Sequence, residues 1–372
     1  MTESTDLLPI GLEDRLPAST ARITAVMRAA LDALGGHGYK RVRPPLLEFE
    51  SSLASRMQGT KTERCFRMTD PASLRTLALR SDITPQIGRI AATSMKQAAR
   101  PLRLAYCGDT ALIAASQLDP ARERLQLGAE LIGADSVAAA CEIVTLAIEA
   151  ARAAGLSGLS VDFTMPDLLD ILAAQDSAMT DERIAAIRRE LDTKNAGELK
   201  AVGGADYLPL IYATGDVDAA LDQLRSFDTA GVLTSRLDGI AAIAAQVGGG
   251  ARVTLDPTEL HGFEYQSWFG FTLYAQGVRG AAGRGGTYKI GGSNEPATGF
   301  TLYVDRLADG APAPEQERTL YLPLGHDPQQ ARKFREQGWV TIAQLDAGED
   351  AGEDPKALGA THILDGSSAA AL

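Results

Sequence analysis

Apolar residues recur at helical spacing near the start of the chain, at Ile23, Met27, Ala30, Leu31 and Leu34. Ser19 or Thr20 can cap this stretch and Gly35-Gly36 can end it, which predicts a helix over residues 20–34. Further on the period changes to two. Leu125, Leu127, Ala129 and Leu131 alternate with Gln126, Gly128 and Glu130. Side chains alternate across a strand, so residues 123–132 should form one strand with an apolar face and a polar face. Residues 102–107 are short and apolar and end at the turn-forming pair Gly108-Asp109, so they read as the partner strand of a hairpin. A row of Gln126 and Glu130 in a central hairpin is either a solvated sheet face or the floor of a small polar site.

The same reading extends along the chain. Strands are expected at 65–68 and 76–79, with a helix at 84–95 that carries Pro85 in its first turn and has Asp82 and Thr84 as candidate caps. An alanine-rich helix at 136–154, a strand at 159–164 and a short helix at 167–174 follow. Residues 175–246 are charged, alanine-rich and helical, broken at Gly203-Gly204 and Gly215. There Asp181, Glu182, Arg183, Arg188, Arg189 and Glu190 read as a solvated helix face. Strand character returns at 248–284. Residues 308–318 read as a linker, and 319–372 as a small α/β unit with strands at 320–323, 340–342 and 362–364 and a helix at 328–337.

Composition narrows the function classes. The chain has 372 residues, 45% of them hydrophobic and 23% charged, which suits more than one domain with a sizeable core. A formal net charge of −12 argues against nucleic acid as the main partner. No run approaches the ~18 apolar residues that a membrane helix needs, and the acidic N-terminus has no apolar signal core, so a cytoplasmic protein without a membrane partner is expected. Cys65, Cys107 and Cys141 are too scattered for a disulfide framework or a zinc site. His261 has no second ligand at metal spacing, so no metal is expected. The glycine-rich stretch 280–292 lacks the spacing of a phosphate loop, and no cofactor is expected.

Several blocks resemble the class II aminoacyl-tRNA synthetases in their histidyl form. Gln126-Leu127-Gly128-Ala129-Glu130-Leu131-Ile132-Gly133 is similar to the returning strand of that family's second signature, and Tyr106-Cys107-Gly108 to its outgoing strand. Leu79-Arg80-Ser81-Asp82-Ile83-Thr84 resembles the stretch whose acid and threonine hold the substrate ammonium. His261-Gly262-Phe263-Glu264-Tyr265-Gln266 resembles the block peculiar to histidyl enzymes, and Gly285-Gly286-Thr287-Tyr288-Lys289 a wall of their pocket. Residues 37–50, with Pro45, resemble the first signature, which forms a dimer interface, and 299–307, with Arg306, the third.

The resemblance covers roughly residues 7–307 and implies an α+β fold. A class II synthetase-like antiparallel sheet flanked by helices would fill 1–307, with a helical insertion at 175–246 and the small C-terminal unit at 319–372. It also implies a histidine pocket. Asp82, Thr84 and Gln126 would hold the amino group, and Glu130, Tyr265, Gln266 and Tyr288 would meet the imidazole. The departures matter as much. The family's ATP-binding arginine falls on Leu112 and its glutamate on Ala114, and a second arginine falls on His261. An apolar side chain cannot stabilise the charge that develops on a reacting phosphate. The C-terminal unit is also roughly half the size that the resemblance implies for an anticodon-binding domain.

A kept amino-acid pocket with lost ATP contacts resembles the non-catalytic regulatory subunits of ATP phosphoribosyltransferase, the first enzyme of histidine biosynthesis. That resemblance implies a homodimer core, a hetero-oligomer with a short-form catalytic subunit, and L-histidine as a feedback ligand. The alternatives are a histidine-independent scaffold or dimerisation subunit, and a histidyl-tRNA synthetase. The second of these needs an arginine where Leu112 stands.

Overall fold

A computed structural model of the chain describes residues 8–54, 65–114, 120–177, 179–260, 266–313, 317–345 and 354–372. The chain divides into two compact units, Met1–Pro312 and Ala313–Leu372.

The first unit opens on helix α1 (Pro17–Gly36), longer at both ends than its apolar stripe predicts. Pro17 fits a first turn, whose N–H has no helical partner, and the helix continues through Gly35-Gly36 until Gly38 takes up a positive φ. Then come β1 (Lys40–Arg41), β2 (Leu47–Phe49), α2 (Glu50–Ala54), β3 (Arg67–Thr69), β4 (Thr76–Leu79) and α3 (Thr84–Ala92). The central hairpin is β5 (Leu102–Ala111) and β6 (Glu123–Ile132), followed by α4 (Val137–Ala153), β7 (Ser160–Thr164) and α5 (Leu168–Ala173). The helical stretch comprises α6 (Asp181–Asp192), α7 (Ala196–Ala201), α8 (Leu208–Tyr212), α9 (Val217–Phe227) and α10 (Thr234–Val247), with a two-residue strand β8 (Gly215–Asp216) inside it. β9 (Arg252–Leu255), β10 (Gln266–Tyr274), β11 (Gly283–Ile290), β12 (Glu295–Tyr303) and α11 (Val304–Gly310) complete the unit.

Nine strands form one sheet in the order β1-β5-β6-β12-β11-β10-β7-β9-β8, antiparallel except for the β1–β5 and β7–β9 pairs. A separate three-stranded sheet runs β2-β4-β3. One face of the large sheet carries Leu127, Ala129, Phe163, Phe269, Phe271 and Phe300. It is buried in a single core with α1, α4 and α10. Nearly every side chain of α4 that faces the sheet is alanine, valine, isoleucine or leucine, so the helix can lie close to it. Ser136 caps α4 by accepting from the backbone N–H of Ala139 at 3.3 Å. On the opposite face α3 packs Ile83, Ile87 and Ala91 against Leu104, Tyr106, Ile132 and Ile290. The rest of that face is polar.

Four details depart from the sequence expectations. The outgoing strand does not stop at Gly108-Asp109 but pairs with β6 as far as Ala111. Gly108 serves there as a gap in the side-chain layer, since a Cβ would strike the Arg80 guanidinium. Residues 175–246 are not wholly helical, because Gly215-Asp216 pairs with β9 and extends the sheet. Glu190 is buried, not part of a solvated face, beside Arg189 at 2.8 Å. Ala308 to Gly310 belong to α11, so the helix enters the expected linker.

The second unit consists of β13 (Thr319–Leu322), α12 (Pro328–Glu336), β14 (Val340–Ala343), β15 (His362–Asp365) and β16 (Ser368–Ala371), in the sheet order β14-β13-β15-β16. β16 has no counterpart in the sequence reading. Its Ala369-Ala370-Ala371 run lacks the β-branched and aromatic residues that mark strands, and pairing with β15 supplies the structure instead. Leu320, Leu322, Ala331 and Leu364 form its small core.

Candidate functional site

The polar face of β6 is built as its alternation demands. Glu130, Gly128 and Gln126 sit on one side, and the register places Gly299 opposite Glu130 and Gly286 opposite Gly299. Tyr106 stands opposite Gly128, and Thr301 opposite both Gly128 and Arg284. The glycines are gaps that the large polar side chains lie across. A Cβ on Gly299 would collide with the Glu130 carboxylate, and one on Gly128 with the Tyr106 phenol.

Glu130 is 1% exposed. It accepts a hydrogen bond from the Tyr288 hydroxyl at 2.8 Å and a longer one from Tyr106 at 3.5 Å. The Tyr106 oxygen is shared with Thr301 Oγ1 at 2.6 Å and Thr84 Oγ1 at 3.3 Å. Burial pushes the Glu130 carboxyl up to about 8, against the Tyr288 hydrogen bond, which lowers it; nearby Asp82 pushes it further up. Burial raises Tyr106 well above the ordinary phenol range for the same reason. The Asp82 carboxyl is also raised by burial, although the backbone N–H of Thr84 and the Gln126 amide lower it. The site is therefore a set of polar groups held dry beneath α3, with an acid that keeps its proton at neutral pH.

The expected residues fall into two groups. Gln126 bonds Asp82 and accepts from the backbone N–H of Ile83 at 3.1 Å, so these two residues form one cluster at the start of α3. Thr84 links this cluster to the next: it bonds Asp82 and also joins Glu130, Gln266 and Tyr288 around a small cavity floored by Gly285, Gly286 and Gly299. Gln266 is fixed by donating to the Gly285 carbonyl at 2.8 Å. Neither Asp82 nor Thr84, the expected caps, is the N-cap of α3: Ile83 holds that position without a side-chain cap, and Asp82 before it accepts from Thr84 N at 3.4 Å. Tyr265 and His261 lie outside the described residues. The free space in the cavity is about 20 Å³, room for about one water molecule.

The family model described as histidyl-tRNA synthetase matches residues 11–307. An ATP phosphoribosyltransferase regulatory subunit from Rhodospirillum centenum is 37% identical, with 98% of this chain and 96% of that relative covered. The chain belongs to this regulatory-subunit family. The structure of an ATP phosphoribosyltransferase regulatory subunit/histidyl-tRNA synthetase from Bacillus halodurans aligns at a TM-score of 0.82 and 25% identity, covering 96% of this chain and 97% of that one. The histidyl-tRNA synthetase of Nostoc shares the fold at a TM-score of 0.78 and 14% identity, covering 97% and 91%. The α+β class II synthetase-like fold expected from the signature blocks is thus the fold of the chain.

In this member of the regulatory-subunit family, four further side chains shape the site that sequence reading passed over as candidates. Tyr106 and Thr301 complete the Glu130 network, and alternation from Gly128 and Gly299 was the signal that would have found them. Arg284 lines the cavity from β11, two residues before Gly286. Arg80, 6% exposed, donates to the carbonyls of Asp109 at 2.7 Å and Pro44 at 3.1 Å and to Gln86 at 3.3 Å. It ties the start of the Asp82 loop to β5. Arg306, in the block that resembles the third signature, lies over the Tyr303 ring at 5.0 Å and donates to the Ala281 carbonyl at 3.0 Å. Leu112 continues the hairpin by donating its N–H to the Arg122 carbonyl at 2.8 Å. Among the described residues no three His, Cys, Asp or Glu side chains come together to hold a metal ion. Nor is any described helix long and apolar enough to cross a membrane.

Proposed function

We propose that this protein is a non-catalytic regulatory subunit of ATP phosphoribosyltransferase, acting in the cytoplasm at the first step of histidine biosynthesis. It assembles with a short-form catalytic subunit into a hetero-oligomer around a homodimer core, and it binds L-histidine in the pocket over β6. The observation that carries this reading is the buried Glu130, held by Tyr288 on a glycine floor, while Leu112 stands where a synthetase needs a cation for the α-phosphate. The relatives' common name supports the assembly.

Asp82, Thr84 and Gln126 offer an acid, a hydroxyl and an amide carbonyl to the amino group, and Glu130, Gln266 and Tyr288 face the imidazole, with Tyr265 assigned there by the resemblance alone. An acid opposite an imidazole makes a charge-assisted hydrogen bond. Feedback then follows from linkage. Histidine alters the partner only by binding two states of the assembly with different affinity. Calorimetric titration of the purified chain tests this. L-histidine should bind and ATP should not, and Glu130→Ala should abolish histidine binding while leaving the protein folded. Retained binding in that variant would overturn the assignment. One observation favours a second reading, a scaffold that does not bind histidine: the cavity of about 20 Å³ is too small for an amino acid unless side chains move. Absence of histidine binding, alone and with the catalytic partner present, would select it.

A further inference from the structure

An α-amino acid at neutral pH carries one cation and one anion. The clusters described so far account for its ammonium and its side chain, but leave its carboxylate unmatched, because Leu112 and His261 stand at the family's two arginine positions. Of the described side chains that line the cavity, Glu130 is the acid and Arg284 the cation. It is half-buried on β11. Its charge acts along the same sheet face, where it holds down the pKa of Tyr303 on β12 and of Tyr274 on β10, which burial otherwise raises.

The register fixes its distance from the acid. Glu130, Gly299 and Gly286 share one row across β6, β12 and β11, and Arg284 lies two residues along from Gly286. Two strand spacings of about 4.8 Å and two residues of about 3.4 Å separate the two Cα atoms by roughly 12 Å. Between them the floor is glycine at Gly299 and Gly286, with the Gln266 amide over Gly286 and Thr301 beside Arg284. That span matches the two ends of one small amino acid, and the side chains over the floor must move apart to admit it, since the cavity measures about 20 Å³. A guanidinium also matches a carboxylate with two parallel N–H bonds, which a lysine ammonium does not.

We propose that Arg284 receives the α-carboxylate of the ligand and makes the site selective for an amino acid over the corresponding amine or alcohol. The inference rests on the histidine reading of the pocket and goes beyond it by assigning the carboxylate. The test is calorimetric titration of the full chain and its Arg284→Gln variant with L-histidine and with L-histidinol, in which an alcohol replaces the carboxylate. The wild type should prefer histidine at least tenfold. Arg284→Gln should lose that preference, with histidinol affinity changed by less than about twofold. Arg284→Lys, should the glutamine variant not fold, should keep part of the preference. An equal loss for both ligands, no loss for either, or a wild type that binds histidinol as tightly as histidine would overturn the assignment while leaving the histidine pocket standing. A wild type that binds neither ligand would remove the pocket reading itself, and the assignment with it.

Discussion

Tyr288 donates its hydroxyl hydrogen to Glu130 over 2.8 Å, reaching across β12 at Gly299, where any Cβ would occupy the place of that carboxylate. Both partners are buried, so neither can exchange the bond for water. Tyr288→Phe keeps the ring and deletes the donor. The acid then loses the hydrogen bond that most lowers its pKa, and Glu130 should titrate above about 8. The variant should lose about 1–2 kcal/mol in urea unfolding with an unchanged m-value. Unaltered stability would mean that the bond only offsets its own desolvation.

Glu130 also makes stability depend on pH with an unusual sign. Its folded pKa, about 8, lies above the ordinary value of 4.5, so the native state holds a proton that the unfolded chain releases. The Asp82 carboxyl is raised as well. The stability from both groups is present in full below their unfolded values. It is lost as pH rises through their folded values, for Glu130 between about 4.5 and 8. Glu142 acts in the opposite sense, because its hydrogen bond from Arg103 lowers it. Melting temperatures measured from pH 6 to 8.5 should fall for the wild type and stay flatter for Glu130→Gln. Parallel curves would show that Glu130 is ionised in the folded protein already at neutral pH.

Buried charge contributes differently at the other end of β6. Arg124, 11% exposed, meets Asp305, 6% exposed, at 2.7 Å, and Asp305 Oδ1 has no hydrogen-bond partner among the described residues. Removing the cation leaves a carboxylate with little water and a poorer set of partners. Arg124→Leu should therefore cost about 3 kcal/mol, and the double variant Arg124→Leu/Asp305→Leu should recover most of it. Denaturant titration of the three proteins forms the cycle. Additive losses would show that the two side chains do not act as a pair.

How much of this was legible in the sequence follows from where each signal resides. The alternation at 125–131 placed Glu130 and Gln126 on one face and gave the bounds of β6, because a sheet with one dry face repeats every two residues. The end of β5 was misread because Gly108-Asp109 is turn chemistry in isolation. The reason for that glycine, the Arg80 guanidinium above it, comes from a segment nearly thirty residues earlier. Thr84 keeps its contact with Asp82, and the helix start also turns it toward Tyr106 and the Glu130 cavity, a second contact that proximity in the chain does not show. Arg284 escaped notice inside a glycine-rich run. Only the pairing of β11 with β12 shows that it shares a face with Glu130.

The acid's high pKa makes the last prediction, which concerns histidine binding itself. Free Glu130 keeps its proton below about 8, and the imidazole of free histidine gains one below about 6.5. Where the ring turns its bare nitrogen to Glu130, the contact needs one proton beyond the ring's own N–H. Between the two values that proton is already on Glu130, so binding neither takes up nor releases one. Above about 8 it must come from solution, and affinity should fall about tenfold per pH unit. Below about 6.5 both groups carry a proton and one must leave, which weakens binding again. Calorimetry from pH 5.5 to 9 should therefore trace a plateau with two falling limbs. Glu130→Gln cannot ionise, so any basic limb that it retains belongs to the ligand's own ammonium, and the difference between the two profiles belongs to Glu130. Profiles that coincide above pH 8 would mean that no proton is taken up, so that the ring either turns its own N–H to the carboxylate or is held by Tyr288, Gln266 or Thr84 instead.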